Sequence, residues 1–202
     1  MALFTTLETQ NWATWLSNTN SVATALGDLD DLNTTDNSNL VDAINEILSK
    51  NRVITQIYAD TTTGLTFLTN LNTTALPANT LANDGDMILA RYGGEITGAA
   101  GARTITLALD GTGHGGSSHI LRAITVAAAT YWTVDLFLIR ESSSIVRYTI
   151  KFMNGTTSQN FTGSATGLDL AQINDVKLKG QCANGADLIA LYSGMIELRS
   201  AV

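Results

Sequence analysis

Cysteine and proline each occur once in the 202 residues, and histidine twice. A single cysteine, Cys182, excludes an intrachain disulfide. A reactive thiol needs a supporting base and a lowered pKa, and nothing local supplies either, so it reads as a small buried apolar residue. A single proline, Pro77, leaves the loops without proline stiffening. Charge is scarce too: Asp, Glu, Lys and Arg make up 14% of the chain, against a usual share of about a quarter. Thr, Asn, Ser and Gly take their place, which favours sheet faces and loops over exposed helices.

Positive charge is the scarcer sign. Eleven Lys and Arg stand against 18 Asp and Glu, a formal net charge of −7. The basic residues are scattered, and Lys177 and Lys179, as close as any pair, fall on one side of an expected strand. Binding to a nucleic-acid backbone needs a basic stripe, so no nucleic-acid partner is expected. No run approaches the ~20 apolar residues of a membrane span. The N-terminus lacks a basic region followed by an apolar run, so neither a signal peptide nor membrane insertion is expected. The reading is a soluble protein made in a cytoplasm. Asn-x-Thr triplets at Asn33, Asn72, Asn154 and Asn160 then follow from a composition rich in Asn and Thr.

What is present divides the chain in two. Residues 1–58 hold the helical patterns. Leu3, Leu7, Trp12, Trp15 and Leu16 suit a short amphipathic helix or an arm. Leu26, Leu29 and Leu32 follow at intervals of three, and Asn33 to Asn39 offer several helix N-caps. Beyond them Leu40, Ile44, Ile47 and Leu48 lie at i, i+4, i+7, i+8, with Asp42, Asn45 and Glu46 opposite. So short a helix is marginal alone in water. Its stripe must pack on the rest of the chain or on copies of itself around an axis.

From about residue 53 the period becomes two. In Ile145–Phe152, Val146, Tyr148, Ile150 and Phe152 alternate with Arg147, Thr149 and Lys151, the mark of a half-buried antiparallel strand. Tyr131–Arg140 is apolar on both faces apart from Asp135, as in a central strand, and residues 141–144 make the hairpin between the two. Further strands are expected at 86–92, 103–109, 121–126, 159–162, 173–179 and 187–198. Turns are expected at Gly93-Gly94, Gly98–Gly101, Gly111–Gly116, Asn154-Gly155 and Asn184-Gly185. Strands in this number without intervening helices predict an antiparallel sandwich, jelly-roll-like, over 59–202.

Catalytic groups are hard to assemble. Both histidines, His114 and His119, fall in the Gly-rich stretch 110–119 with Asp110, a set that could suggest a metal or a Ser/His/Asp arrangement. A third ligand and oxyanion donors are not evident, and an exposed inter-strand loop is the better reading. No Gly-Lys-Ser/Thr makes that stretch a phosphate loop. Asp28, Asp30, Asp31 and Asp36 invite calcium, but Leu32 stands where an oxygen is needed and the loop Gly and distal Glu are missing. Helix-start acidic residues explain the cluster equally well. Glu95, Asp110, Glu141, Asp169 and Asp187 could pair for sugar cleavage, though no spacing brings any two together. The expectation is a non-enzymatic protein with no catalytic residues, no metal and no cofactor.

The stretch Leu26-Gly-Asp-Leu-Asp-Asp-Leu-Asn-Thr-Thr-Asp-Asn-Ser-Asn-Leu-Val-Asp-Ala-Ile-Asn-Glu-Ile47 resembles a segment of tailed-bacteriophage structural proteins. There it reads roughly hG-x-L-x-x-L-x-T-x-x-K-x-x-hV-x-AINE-h, in tail fibres, head fibres and capsid decoration proteins. Asn37 stands where Lys is common. Residues 102–111 and 132–140 are similar, more loosely, to paired strands of the sandwich domains that follow this segment. The resemblance implies a homotrimer with Leu40, Ile44, Ile47 and Leu48 at its interface. It further implies an N-terminal region fastened to the virion, and an outward-facing sandwich. Phe4, Trp12 and Trp15 suit the anchor, since aromatic residues dominate interface hot spots. A short chain without a shaft favours a capsid decoration (cement) or head-fibre protein on the virion exterior, its partner the major capsid protein or another virion protein. The alternative is a tail fibre or receptor-binding protein touching a host-surface glycan through loops 93–101 and 110–119.

Overall fold

The computed structural model describes residues 51–58, 61–98, 101–111, 118–126, 128–172 and 174–201, with Thr14, Val41 and Ile44 as isolated helical positions. The chain forms two units, Met1–Ser49 with Val202, and Lys50–Ala201. Val41 and Ile44 in the first unit are 65% and 45% exposed.

The second unit is an antiparallel β-sandwich. Its strands, among the described residues, are β1 (Asn51–Ile57), β2 (Thr61–Thr63), β3 (Thr69–Leu76), β4 (Met87–Thr97), β5 (Arg103–Gly111), β6 (His119–Val126), β7 (Tyr131–Ser142), β8 (Ile145–Asn154), β9 (Thr157–Thr166), β10 (Asn174–Cys182) and β11 (Leu188–Arg199). The larger sheet runs β1-β11-β4-β7-β8-β9, with β2 also on β11, and the smaller runs β3-β10-β5-β6. Each expected strand is present, most of them extended by a few residues.

The alternation seen in the sequence becomes the wall of the core. Val146, Ile150 and Phe152 of β8 are buried with Val134, Leu136 and Leu138 of β7, facing Ile105, Leu107, Val176 and Leu178 of the smaller sheet. Gly155 has φ 57 at the first central position of the two-residue β8–β9 loop, as a type II′ hairpin requires. Cys182 is 1% exposed, and burial pushes its thiol pKa up, so it behaves as the expected apolar filler.

Four expectations change. β1 lies in the stretch assigned to the N-terminal region, yet it pairs with β11 and belongs to the sheet. β2 and β3 have no counterpart in the sequence reading, because Thr and Asn fill many of their positions and only Leu71, Thr74 and Leu76 of β3 are buried. Gly93-Gly94 is no turn; both residues sit within β4. A side chain at Gly94 would run into the Ala190 carbonyl and come within 2.8 Å of the Trp132 ring, so glycine there serves close packing. Finally, β7 is central between β4 and β8 but buries one face only, leaving Tyr131 66% and Ile139 43% exposed on the other.

Candidate functional site

The outward face of the larger sheet carries an open trough whose lining is more apolar than polar, with a few polar side chains along it. Along β4, Ile88, Ala90, Tyr92 and Ile96 point into the core, so alternation turns Arg91, Gly93 and Glu95 outward. The register aligns their neighbours. Gly93 sits between Ser193 of β11 and Thr133 of β7, which makes a floor of small side chains. Arg91 sits between Met195 and Asp135, with Gln56 of β1 beyond Met195, and these form one wall. Farther along the same face and outside the trough, Glu95 sits opposite Tyr131, and a register shift in β11 sets Tyr192 beside it.

A space of about 440 Å³ opens over Gly93 and Arg91, bordered by Tyr58 and Ile57. Tyr58 is 81% exposed, and its Oη donates to Gln56 Oε1 at 2.6 Å, which orients the ring. Beyond the trough Tyr192 Oη donates to Glu95 Oε2 at 2.9 Å. Arg91 Nε lies 3.8 Å from Asp135 Oδ1, a surface pair worth about 0–1 kcal/mol that nonetheless balances charge within the trough. Gly93 differs from its neighbour Gly94. A Cβ on Gly93 would meet Ser193 Oγ at 3.5 Å and Thr133 Cγ2 at 3.8 Å, ordinary contacts, so packing does not demand a glycine at that point.

The sequence candidates lie elsewhere. Asp187 is buried at the β10–β11 connection, its Oδ1 2.6 Å from Arg103 Nη2. Asp110 faces outward on the smaller sheet, 2.8 Å from Lys177 Nζ and 3.2 Å from Lys179 Nζ. Burial pulls its pKa up, but hydrogen bonds from Lys177, Ser118 and Lys179 outweigh that and hold it below the ordinary carboxylate range. Glu141 pairs with Arg147 at 2.6 Å, whose hydrogen bonds lower its pKa. Asp169 Oδ1 accepts from the Ala171 amide at 3.1 Å in the β9–β10 connection. Each of the five carboxylates weighed for sugar cleavage therefore has its own partner, and none of the five lines the trough. Among the described residues no three His, Cys, Asp or Glu side chains converge to hold a metal. His119 opens β6, opposite Leu109.

Of the expected interface and anchor residues, Ile44 is helical and half exposed. Leu40, Ile47, Leu48, Phe4, Trp12 and Trp15 lie outside the described residues, as do His114 and the Asp28–Asp36 cluster. In the loop 93–101, residues 93–97 are strand, which moves the polar surface from the loop to the sheet face. Sequence reasoning missed the trough because its residues come from four strands. The one local hint was small residues, Gly93 and Ser193-Gly194, inside strand patterns.

No protein-family model matches the sequence, and no curated protein matches it. Solved structures with a related arrangement include arcelin-5, a lectin-like defense protein from Phaseolus vulgaris, with TM-score 0.37 and 8% identity over 59% of this chain and 73% of that one. The CBM2 module of the evolved Dit of Lactobacillus casei BL23 phage J-1 gives 0.41 and 8% over 64% and 70%. The infectious bursal disease virus VP2 subviral particle gives 0.36 and 11% over 75% and 33%. Likeness of this degree carries no functional argument.

Proposed function

We propose that this protein is a non-enzymatic structural component of a tailed-phage particle, a homotrimeric decoration or head-fibre protein on the capsid exterior. The observation that carries the reading is the order of its parts. The segment Leu26–Ile47, which resembles a phage virion segment, directly precedes an antiparallel sandwich. Val41 and Ile44 support self-association: both are helical, apolar and open to solvent, and copies around an axis would cover them. Phe4, Trp12 and Trp15 are assigned to the contact with the major capsid protein or another virion protein, and three copies would add avidity to weak single contacts. The dispersal of Glu95, Asp110, Glu141, Asp169 and Asp187 among separate partners supports a non-enzymatic role.

A second reading, a tail fibre or receptor-binding protein, is favoured by one observation, the solvent-open Tyr58 at the border of the trough. Immunogold labelling of intact virions with an antibody to residues 90–202 separates the two. Label over the head is the expected result. Label confined to the tail selects the second reading, and unlabelled virions overturn both.

A further inference from the structure

We infer that the trough on the larger sheet is a binding site for a neutral glycan, with one pyranose ring seated on Gly93. Four observations carry this. First, the space of about 440 Å³ lies within the range of roughly 300–1,000 Å³ usual for small-ligand sites. Second, its chemistry is that of a sugar's complement. A pyranose is a disc with apolar C–H faces and a rim of hydroxyls. Tyr58 offers an open aromatic face at one border, its hydroxyl tethered to Gln56. Arg91 supplies donors, Asp135 acceptors, and Ser193 and Thr133 hydroxyls of both kinds.

Third, the charges balance. Arg91 and Asp135, the charged residues of the lining, lie 3.8 Å apart and offset one another. An ionic ligand would have to break that pairing, whereas a neutral one leaves it in place. Fourth, the floor is built from β11, β4 and β7, interior strands whose backbone groups pair on both sides. A peptide adding itself as a strand needs a free edge, so that mode is closed here. Gly93 then has a reason that packing does not supply: a larger side chain would fill the seat.

The test uses the purified full chain and saturation-transfer NMR with neutral trisaccharides of glucose, galactose, mannose and N-acetylglucosamine, and with trisialic acid for comparison. Tyr58→Ala and Gly93→Leu are the variants, each checked by thermal melting. At least one neutral trisaccharide is expected to bind saturably, and each variant to weaken it about tenfold or more without moving Tm. Three results overturn the inference: no transfer to any neutral trisaccharide at about 10 mM, binding that survives both variants, or a preference for trisialic acid. Should Gly93→Leu fail to fold, Tyr58→Ala decides alone, because its side chain stands in solvent. The measurement uses no virion, so the sugar site and the capsid location fail independently.

Discussion

Arg103 and Asp187 are 84 residues apart in sequence, yet Nη2 and Oδ1 meet at 2.6 Å with both side chains 1% exposed. The pair ties the start of β5 to the connection between β10 and β11. Gly98, at φ 109, and Gly101 pack so closely over the Asp187 carboxylate that no side chain fits at either position. One buried ion pair thus joins the start of β5 to the β10–β11 connection at one end of the sandwich.

Removing one partner leaves the other charge buried and uncompensated. Asp187→Ala is expected to destabilise the sandwich by about 3–5 kcal/mol in urea unfolding. The double variant Arg103→Met/Asp187→Leu should cost less than Asp187→Ala alone. Additive losses would mean that the two residues contribute independently.

Gly93 and Gly94 should respond in opposite ways. Gly94→Ala drives a methyl group into the Ala190 carbonyl and to within 2.8 Å of Trp132, and is expected to cost about 1–3 kcal/mol or more. Gly93→Ala meets only ordinary contacts and should shift Tm by little. Differential scanning calorimetry on the two variants distinguishes packing from the open seat.

Asp110 predicts an acid-sensitive contribution to stability. Its carboxyl pKa is lower in the folded protein than in the unfolded chain, so its contribution is fully present above the unfolded value of about 3.9. It fades as pH falls through that value and then through the folded one. Asp110→Asn should therefore lower stability at pH 7, by about 1 kcal/mol, and flatten the dependence below about pH 4. Urea midpoints between pH 2.5 and 7, roughly, check this.

The trimer and anchor assignments separate by truncation. Removing residues 1–20 is expected to abolish capsid binding while trimers persist in analytical ultracentrifugation. Ile44→Asp should instead yield monomers, since a charge on an apolar seam costs several kcal/mol unless it is paired. Undiminished capsid binding by the truncated chain would sink the anchor assignment.

The strands of the central region were legible because their signal is local. Val146, Ile150 and Phe152 alternate with polar neighbours in one continuous stretch, and a strand with one buried face needs nothing more. β3 was not legible, because Thr and Asn occupy positions where alternation should show. Gly93-Gly94 misled because paired glycines usually mark a turn, whereas at Gly94 the cause is a Trp132 ring contributed by another strand. The five carboxylates could be named but not placed.

Composition and period by themselves determined an antiparallel sandwich with a polar, sparsely charged exterior, and a buried thiol at Cys182. Tertiary structure alone decided which outward residues meet. Tyr58, Gln56, Ser193, Gly93, Arg91, Thr133 and Asp135 come from the β1 side, β11, β4 and β7, and become neighbours only through the register of the strands. The same holds for Arg103 and Asp187. Period two says which face a side chain takes, but strand order and register are set by packing among distant segments. A surface assembled across strands therefore has no signature along the chain.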